Sequence, residues 1–173
     1  MAKTLIKYTI MFVLLVVAQA IVFNRICLFG VAIPFVFIYL IIKLPVTLNA
    51  NWSLTVGFFL GITVDIFSDT QGRNAIACTT LAALRRPLLK LYFPREDEMP
   101  DPTPSRKSLG PGVFYKYVLT MTLVYFIIYF AIESFSLFNP LRMLWEIIGS
   151  TLLTFILIVA IDTLTSRKHE KRL

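Results

Sequence analysis

The sequence is poor in the residues that carry most enzyme chemistry. It has one histidine, His169, two cysteines, Cys27 and Cys78, and only 16% charged residues in a chain of 173. A lone histidine in a charged tail and two cysteines without ligand spacing exclude a zinc or iron–sulfur centre. A Ser/His/Asp set and a glycine-rich phosphate loop are also missing, so no enzyme activity and no cofactor are expected. A Cys27–Cys78 disulfide is not expected either, since nothing but the outer placement of both residues in the topology below favours it.

What the chain has in abundance is apolar surface. It is 57% hydrophobic, with 15 Phe and a mean hydropathy of +0.76, more than a soluble domain of this length can bury. Leu5–Phe23 and Leu144–Ile161 are almost free of charge over nearly the ~20 residues that cross a bilayer. The fold class is therefore an all-α integral membrane protein, a single polytopic domain over residues 1–173. The net charge of +7 could suit nucleic acid, but the basic residues lie at helix ends and in loops, so they read as membrane topology and no nucleic-acid partner is expected.

Taken in order, the first helix covers Leu5–Phe23. Lys3, Lys7 and Ala18-Gln19-Ala20 imitate a cleavable signal peptide, but the apolar run continues to Phe23 and further spans follow, so it reads as a retained helix. After Asn24-Arg25 a second span runs from Phe29 to Leu48, kinked or bounded by Pro34 and Pro45, with Lys43 snorkelling at its inner end. The third ends at Phe67, and Gly72 suits a tight turn with positive φ. The fourth runs from Asn74 to Leu84, where Arg85-Arg86-Pro87 interrupts it; Leu88–Phe93 is then either a kinked surface segment or part of a re-entrant half-helix.

Pro94–Gly112 holds five of the nine prolines with Glu96-Asp97-Glu98, which reads as a mobile linker at 94–112. The fifth helix, Val113–Ile132, places Tyr125 and Tyr129 on one face, and the sixth runs from Asn139-Pro140 to Leu164, with Arg142 and Glu146 one turn apart. With six spans and both termini inside, fourteen of the seventeen basic residues fall on the cytoplasmic side, leaving Arg25, Arg73 and Arg142 outside. That imbalance satisfies the positive-inside rule, and the basic tail adds an anchor for anionic membrane lipids. Arg85 and Arg86 then share the inner interface with Asp162, so one of them pairs with it or both snorkel to headgroups.

The stretch Gly57–Gly72 stands out. On a helix Gly57, Gly61 and Asp65 share one face, the glycines leaving a groove for a neighbouring helix and the acid requiring a partner at its end. Gly61, Asp65 and Asp69 also match the closing half of the metal motif of CDP-alcohol phosphatidyltransferases, but the opening half would fall on Leu44–Trp52, which holds no acid, and a divalent metal needs more carboxylates.

Gly57-Phe58, Gly61, Asp65 and Gly72, followed by Ala75, Ala77 and Arg86-Pro87, resemble the rod shape-determining protein MreD family. An early Pro34, a proline-rich inner loop and a length near 170 agree over essentially the whole chain. The resemblance implies a non-enzymatic component of the bacterial cell-elongation complex in the inner membrane. It would associate with MreC and, directly or through it, with MreB, RodA and the elongation transpeptidase, helping to organise lateral peptidoglycan synthesis. It also implies a fold resembling the S-components of energy-coupling-factor vitamin transporters. A substrate-binding S-component is accordingly the alternative function, with Asp65, Asp69 and Arg73 its best pocket candidates. The candidate helix-packing or partner-contact residues are Gly57, Gly61, Asp65, Gly72, Arg86 and Pro87.

Overall fold

The computed structural model of the protein describes residues 2–25, 32–93, 102–133 and 140–170. Its elements are α1 (Ala2–Ile21), which leads into a 3-10 turn (Phe23–Arg25), α2 (Ile38–Lys43), α3 (Ala50–Ser68), α4 (Arg73–Tyr92), α5 (Arg106–Leu109), α6 (Pro111–Glu133) and α7 (Pro140–Glu170). Among the described residues there is no strand. Among the described residues three helical segments are long and apolar enough to cross a membrane, Ala50–Ser68, Pro111–Glu133 and Leu141–Thr165, and Ile6–Ile21 is a shorter apolar helix. Their outward faces are apolar: Ile10 and Leu14 on α1, Phe59 and Ile66 on α3, and Leu152 and Ile156 on α7 are all exposed. In water such faces would carry polar side chains; in lipid they need none.

Hydrogen bonds at the two ends of the bundle fix the helix directions. At one end Tyr8 of α1 donates to the Lys43 carbonyl at 2.9 Å, Arg86 of α4 to the Leu48 carbonyl at 2.6 Å, and Arg106 of α5 to Asp162 of α7 at 2.9 Å. At the other end Asn24 donates to Ser68 at 2.8 Å, Arg73 at the start of α4 to Glu133 at the end of α6 at 2.6 Å, and Ile33 N to Ser150 of α7 at 3.1 Å. Thus α1, α3 and α6 run one way, whereas residues 32–43, α4 and α7 return.

The second apolar segment departs from the expected long helix. Pro34 supplies no backbone donor and restricts the residue before it, so the chain is non-helical at 33–35 and α2 has only six residues before Pro45. The non-helical stretch finds its partners in side chains of two other helices. Gln19 of α1 donates to the Pro34 carbonyl at 3.0 Å and accepts from Val36 N at 3.1 Å, while on α7 Ser150 accepts from Ile33 N and Thr154 from Phe35 N, both at 3.1 Å. Phe35 to Ile42 are all buried, which meets the requirement that irregular backbone at membrane depth be enclosed by protein. The segment is the centre of the bundle: Phe35 stacks on Phe126 at 5.6 Å and meets Tyr129 edge-on at 5.0 Å.

α4 also differs from expectation. It continues through Pro87 to Tyr92 without the predicted interruption; the proline removes one N–H from the ladder, a loss that membrane helices tolerate by local adjustment. The second half of the proline-rich stretch is ordered. Ser105 caps α5 by accepting from Ser108 N at 3.1 Å, Val46 N donates to the Pro102 carbonyl at 2.7 Å, and Pro111 opens α6, where a missing N–H costs nothing. Residues 94–101 and Cys27 lie outside the described residues.

Candidate functional site

α3 and α4 form the closest helix pair, and the glycines are why. A methyl group on Gly61 would lie 2.4 Å from the Asn74 carbonyl oxygen and 2.5 Å from the Ala75 Cα; on Gly57 it would lie 2.9 Å from the Cys78 carbonyl oxygen. Two backbones can approach this closely only where no Cβ intervenes. The face read from the Gly57, Gly61, Asp65 spacing is therefore occupied from within the chain, by α4.

Asp65 sits at the end of that seam and is buried. Its Oδ1 accepts from Asn74 N at 3.0 Å, from Asn74 Nδ2 at 2.9 Å and from Thr70 Oγ1 at 2.5 Å, and its Oδ2 accepts from Ala75 N at 2.8 Å. Backbone N–H groups in the first turn of α4 are orphan donors, so a carboxylate there caps the helix and meets the positive end of its dipole. Asn74 extends the network by accepting from the Tyr125 hydroxyl on α6. Between the helices Asp69 (φ 52) and Gly72 (φ 77) both take left-handed backbone. Gly72 was expected there; Asp69 tolerates the conformation because a short polar side chain visits it at modest cost.

Arg85 and Arg86 neither pair with Asp162 nor reach outward. Arg85 is 1% exposed and donates to the Leu44 and Pro45 carbonyls. Arg86 donates to the Leu48 carbonyl, and at 3.5 Å to that of Val46. Residues 44–48 turn the chain from α2 into α3, leaving carbonyls without helical partners, and the two guanidiniums satisfy them. Pro87 follows directly in α4.

Asp162 has other partners. The buried carboxylate takes Lys43 Nζ at 2.7 Å and Arg106 Nε at 2.9 Å, and accepts from the Tyr39 hydroxyl at 3.0 Å. Arg106 also donates to the Val159 carbonyl and to Thr163, and its guanidinium lies 5.3 Å from the Tyr115 ring centroid. Lys43 is 4.9 Å from the Phe114 ring centroid. One acid on α7 thus ties down α2 and the segment leading into α6. The expected Arg85 or Arg86 pairing fails because both arginines are held by the 44–48 turn.

The remaining candidates are more dispersed. Asp69 is exposed, and Arg73 pairs with Glu133 at 2.6 Å and lies 5.7 Å from the Tyr129 ring. Asp65 is thus engaged by the start of α4 and Arg73 by the end of α6. Among the described residues no group of three or more His, Cys, Asp or Glu is placed to hold a metal ion. Arg142 and Glu146 do form the expected pair at 2.9 Å, worth about 0.5 kcal/mol at most with the arginine exposed.

Sequence reasoning missed Gln19, Ser150 and Thr154, which hold the non-helical stretch. Their signal was present as polar side chains inside apolar runs, the last two one turn apart. It also missed the joining of Lys43 to Arg106 through Asp162, for which separation along the chain left no signal. Comparisons with protein-family models, curated proteins and solved structures give no match to this chain.

Proposed function

We propose that the chain is a non-enzymatic, inner-membrane component of a bacterial cell-elongation complex. In this reading it binds MreC and meets MreB, RodA and the elongation transpeptidase directly or through it. The chain crosses the bilayer six times, with residues 32–43 and α4 completing the passes made by α1, α3, α6 and α7. Both termini and the 94–112 loop are cytoplasmic, and the helical fold resembles that of vitamin-transporter S-components.

One observation carries the reading. Gly57, Phe58, Gly61, Asp65, Gly72, Ala75, Ala77, Arg86 and Pro87, the residues on which the resemblance to MreD rests, all belong to one structural unit, the α3–α4 hairpin. The glycines set its spacing, Asp65 caps its second helix, Gly72 makes its turn and Arg86 anchors its open end. A pattern that specifies a complete hairpin supports a resemblance in fold more strongly than scattered matches would. Because α4 occupies the glycine face, a partner meets the hairpin through its outward residues, such as Phe58 and Phe59, both exposed.

Purification of the tagged protein from native membranes in mild detergent tests the proposal. MreC is expected to accompany it. Tight binding of a vitamin by the purified protein, with no elongation partner recovered, would replace this reading with the S-component.

A further inference from the structure

We propose that the Lys43–Arg106–Asp162 node is a binding site for an anionic phospholipid headgroup. It goes beyond the partner reading and rests only on the chain's being embedded in a membrane.

The first observation is the balance of charge. Asp162 faces two cations, Lys43 and Arg106, and Lys7 of α1 lies within electrostatic reach of Lys43. Among the described side chains no second carboxylate stands at this end of the bundle, whereas Lys7, Lys43, Arg85, Arg86, Lys90, Arg106 and Lys116 all do. Arg85 and Arg86 are taken up by the 44–48 carbonyls, so among the described side chains the node holds one cation more than it holds carboxylates.

The second observation is that the donors are fixed but not used up. Arg106 directs Nε to Asp162 and one terminal nitrogen to Val159 and Thr163. Its other terminal nitrogen has no partner among the described residues. Lys43 Nζ has three protons and one carboxylate partner. Both side chains are partly open, 22% exposed for Arg106 and 15% for Lys43. The aromatic rings of Tyr115 and Phe114 lie against them, which lowers the entropic cost of presenting them to a ligand.

The third observation is depth. Asp162 lies three residues inside the end of the apolar segment Leu141–Thr165, about 4.5 Å along the helix, a distance that long basic side chains span to reach the headgroup level. A guanidinium and an ammonium converging between helices at that level match a phosphodiester, and such basic pockets between membrane helices take anionic headgroups.

The test uses the full chain in mixed micelles, titrated with fluorescent phosphatidylglycerol against phosphatidylcholine of the same acyl composition. The expectation is saturable binding of phosphatidylglycerol about tenfold tighter than phosphatidylcholine, weakened about fivefold by Arg106→Gln, since each basic residue near the surface contributes ~1 kcal/mol. Arg106→Lys should recover part of the loss, and Lys90→Gln, an exposed cation at the same end outside the node, should change nothing. Equal affinity of the wild-type protein for the two lipids overturns the inference without any variant having to fold. So does equal loss in Lys90→Gln and Arg106→Gln, which would mean a diffuse basic surface, or full displacement by millimolar inorganic phosphate. Because the protein need only enter the micelle, failure here leaves the MreC reading standing, and failure of MreC to co-purify leaves this one.

Discussion

At the scale of single residues, buried charges are satisfied in two different ways. Asp162 is buried against two cations, and removing the acid leaves both without their carboxylate. Asp162→Asn should cost about 3 kcal/mol, the range for breaking a buried pair, measured as loss of folded protein on heating in detergent. Double variants identify the partner: Asp162→Arg with Arg106→Asp should recover part of the loss, whereas Asp162→Arg with Arg86→Asp should recover none. Arg85 answers to carbonyl groups instead. Arg85→Met keeps the bulk but strands the Leu44 carbonyl, the Pro45 carbonyl retaining Leu48 N at 3.2 Å, at about 1–3 kcal/mol for an unsatisfied buried acceptor. Sequence gave no access to this difference. Arg85, Arg86 and Asp162 were legible as polar groups at one interface, but their partners depend on a chain turn at 44–48 that only packing reveals.

At the scale of elements, the α3–α4 hairpin is where sequence and structure agree most closely. The four-residue spacing of Gly57, Gly61 and Asp65 announced a close helix contact, and Gly72 a tight turn; both are present, the contact being made by the chain's own next helix. Gly61→Ala should therefore be more damaging than Gly57→Ala, because its methyl meets backbone at 2.4 Å and 2.5 Å, which cannot rotate away. Comparing the melting of the two variants in detergent checks this. Asp65→Asn is not a mild change, since all four of the aspartate's bonds are accepted ones and an amide nitrogen would face a donor. The short α2 was not legible. Its apolar run fits a buried helix or an enclosed extended stretch equally well, and the choice is made by Pro34 together with Gln19, Ser150 and Thr154 on distant helices.

At the scale of the whole molecule, charge is sorted by end. Among the described side chains Lys7, Lys43, Arg85, Arg86, Lys90, Arg106 and Lys116 gather, with Asp162, at the end that holds the start of α1 and the 102–110 segment; Asp65, Asp69, Glu133 and Glu146 gather at the other with Arg73 and Arg142. The basic half of this sorting was readable once spans had been drawn on the sequence, because it depends on where along the chain the charges fall and not on their contacts. In the proposed topology these helices carry the cationic end to the cytoplasm and the Gly72 turn to the outside. Cysteine labelling of intact spheroplasts with an impermeant reagent tests it most directly, in a chain with Cys27 and Cys78 replaced by alanine and a single cysteine introduced as Gln71→Cys or Ser105→Cys. The account predicts that the cysteine at 71 is labelled from outside and the one at 105 only after permeabilisation; labelling at 105 in intact spheroplasts would contradict it.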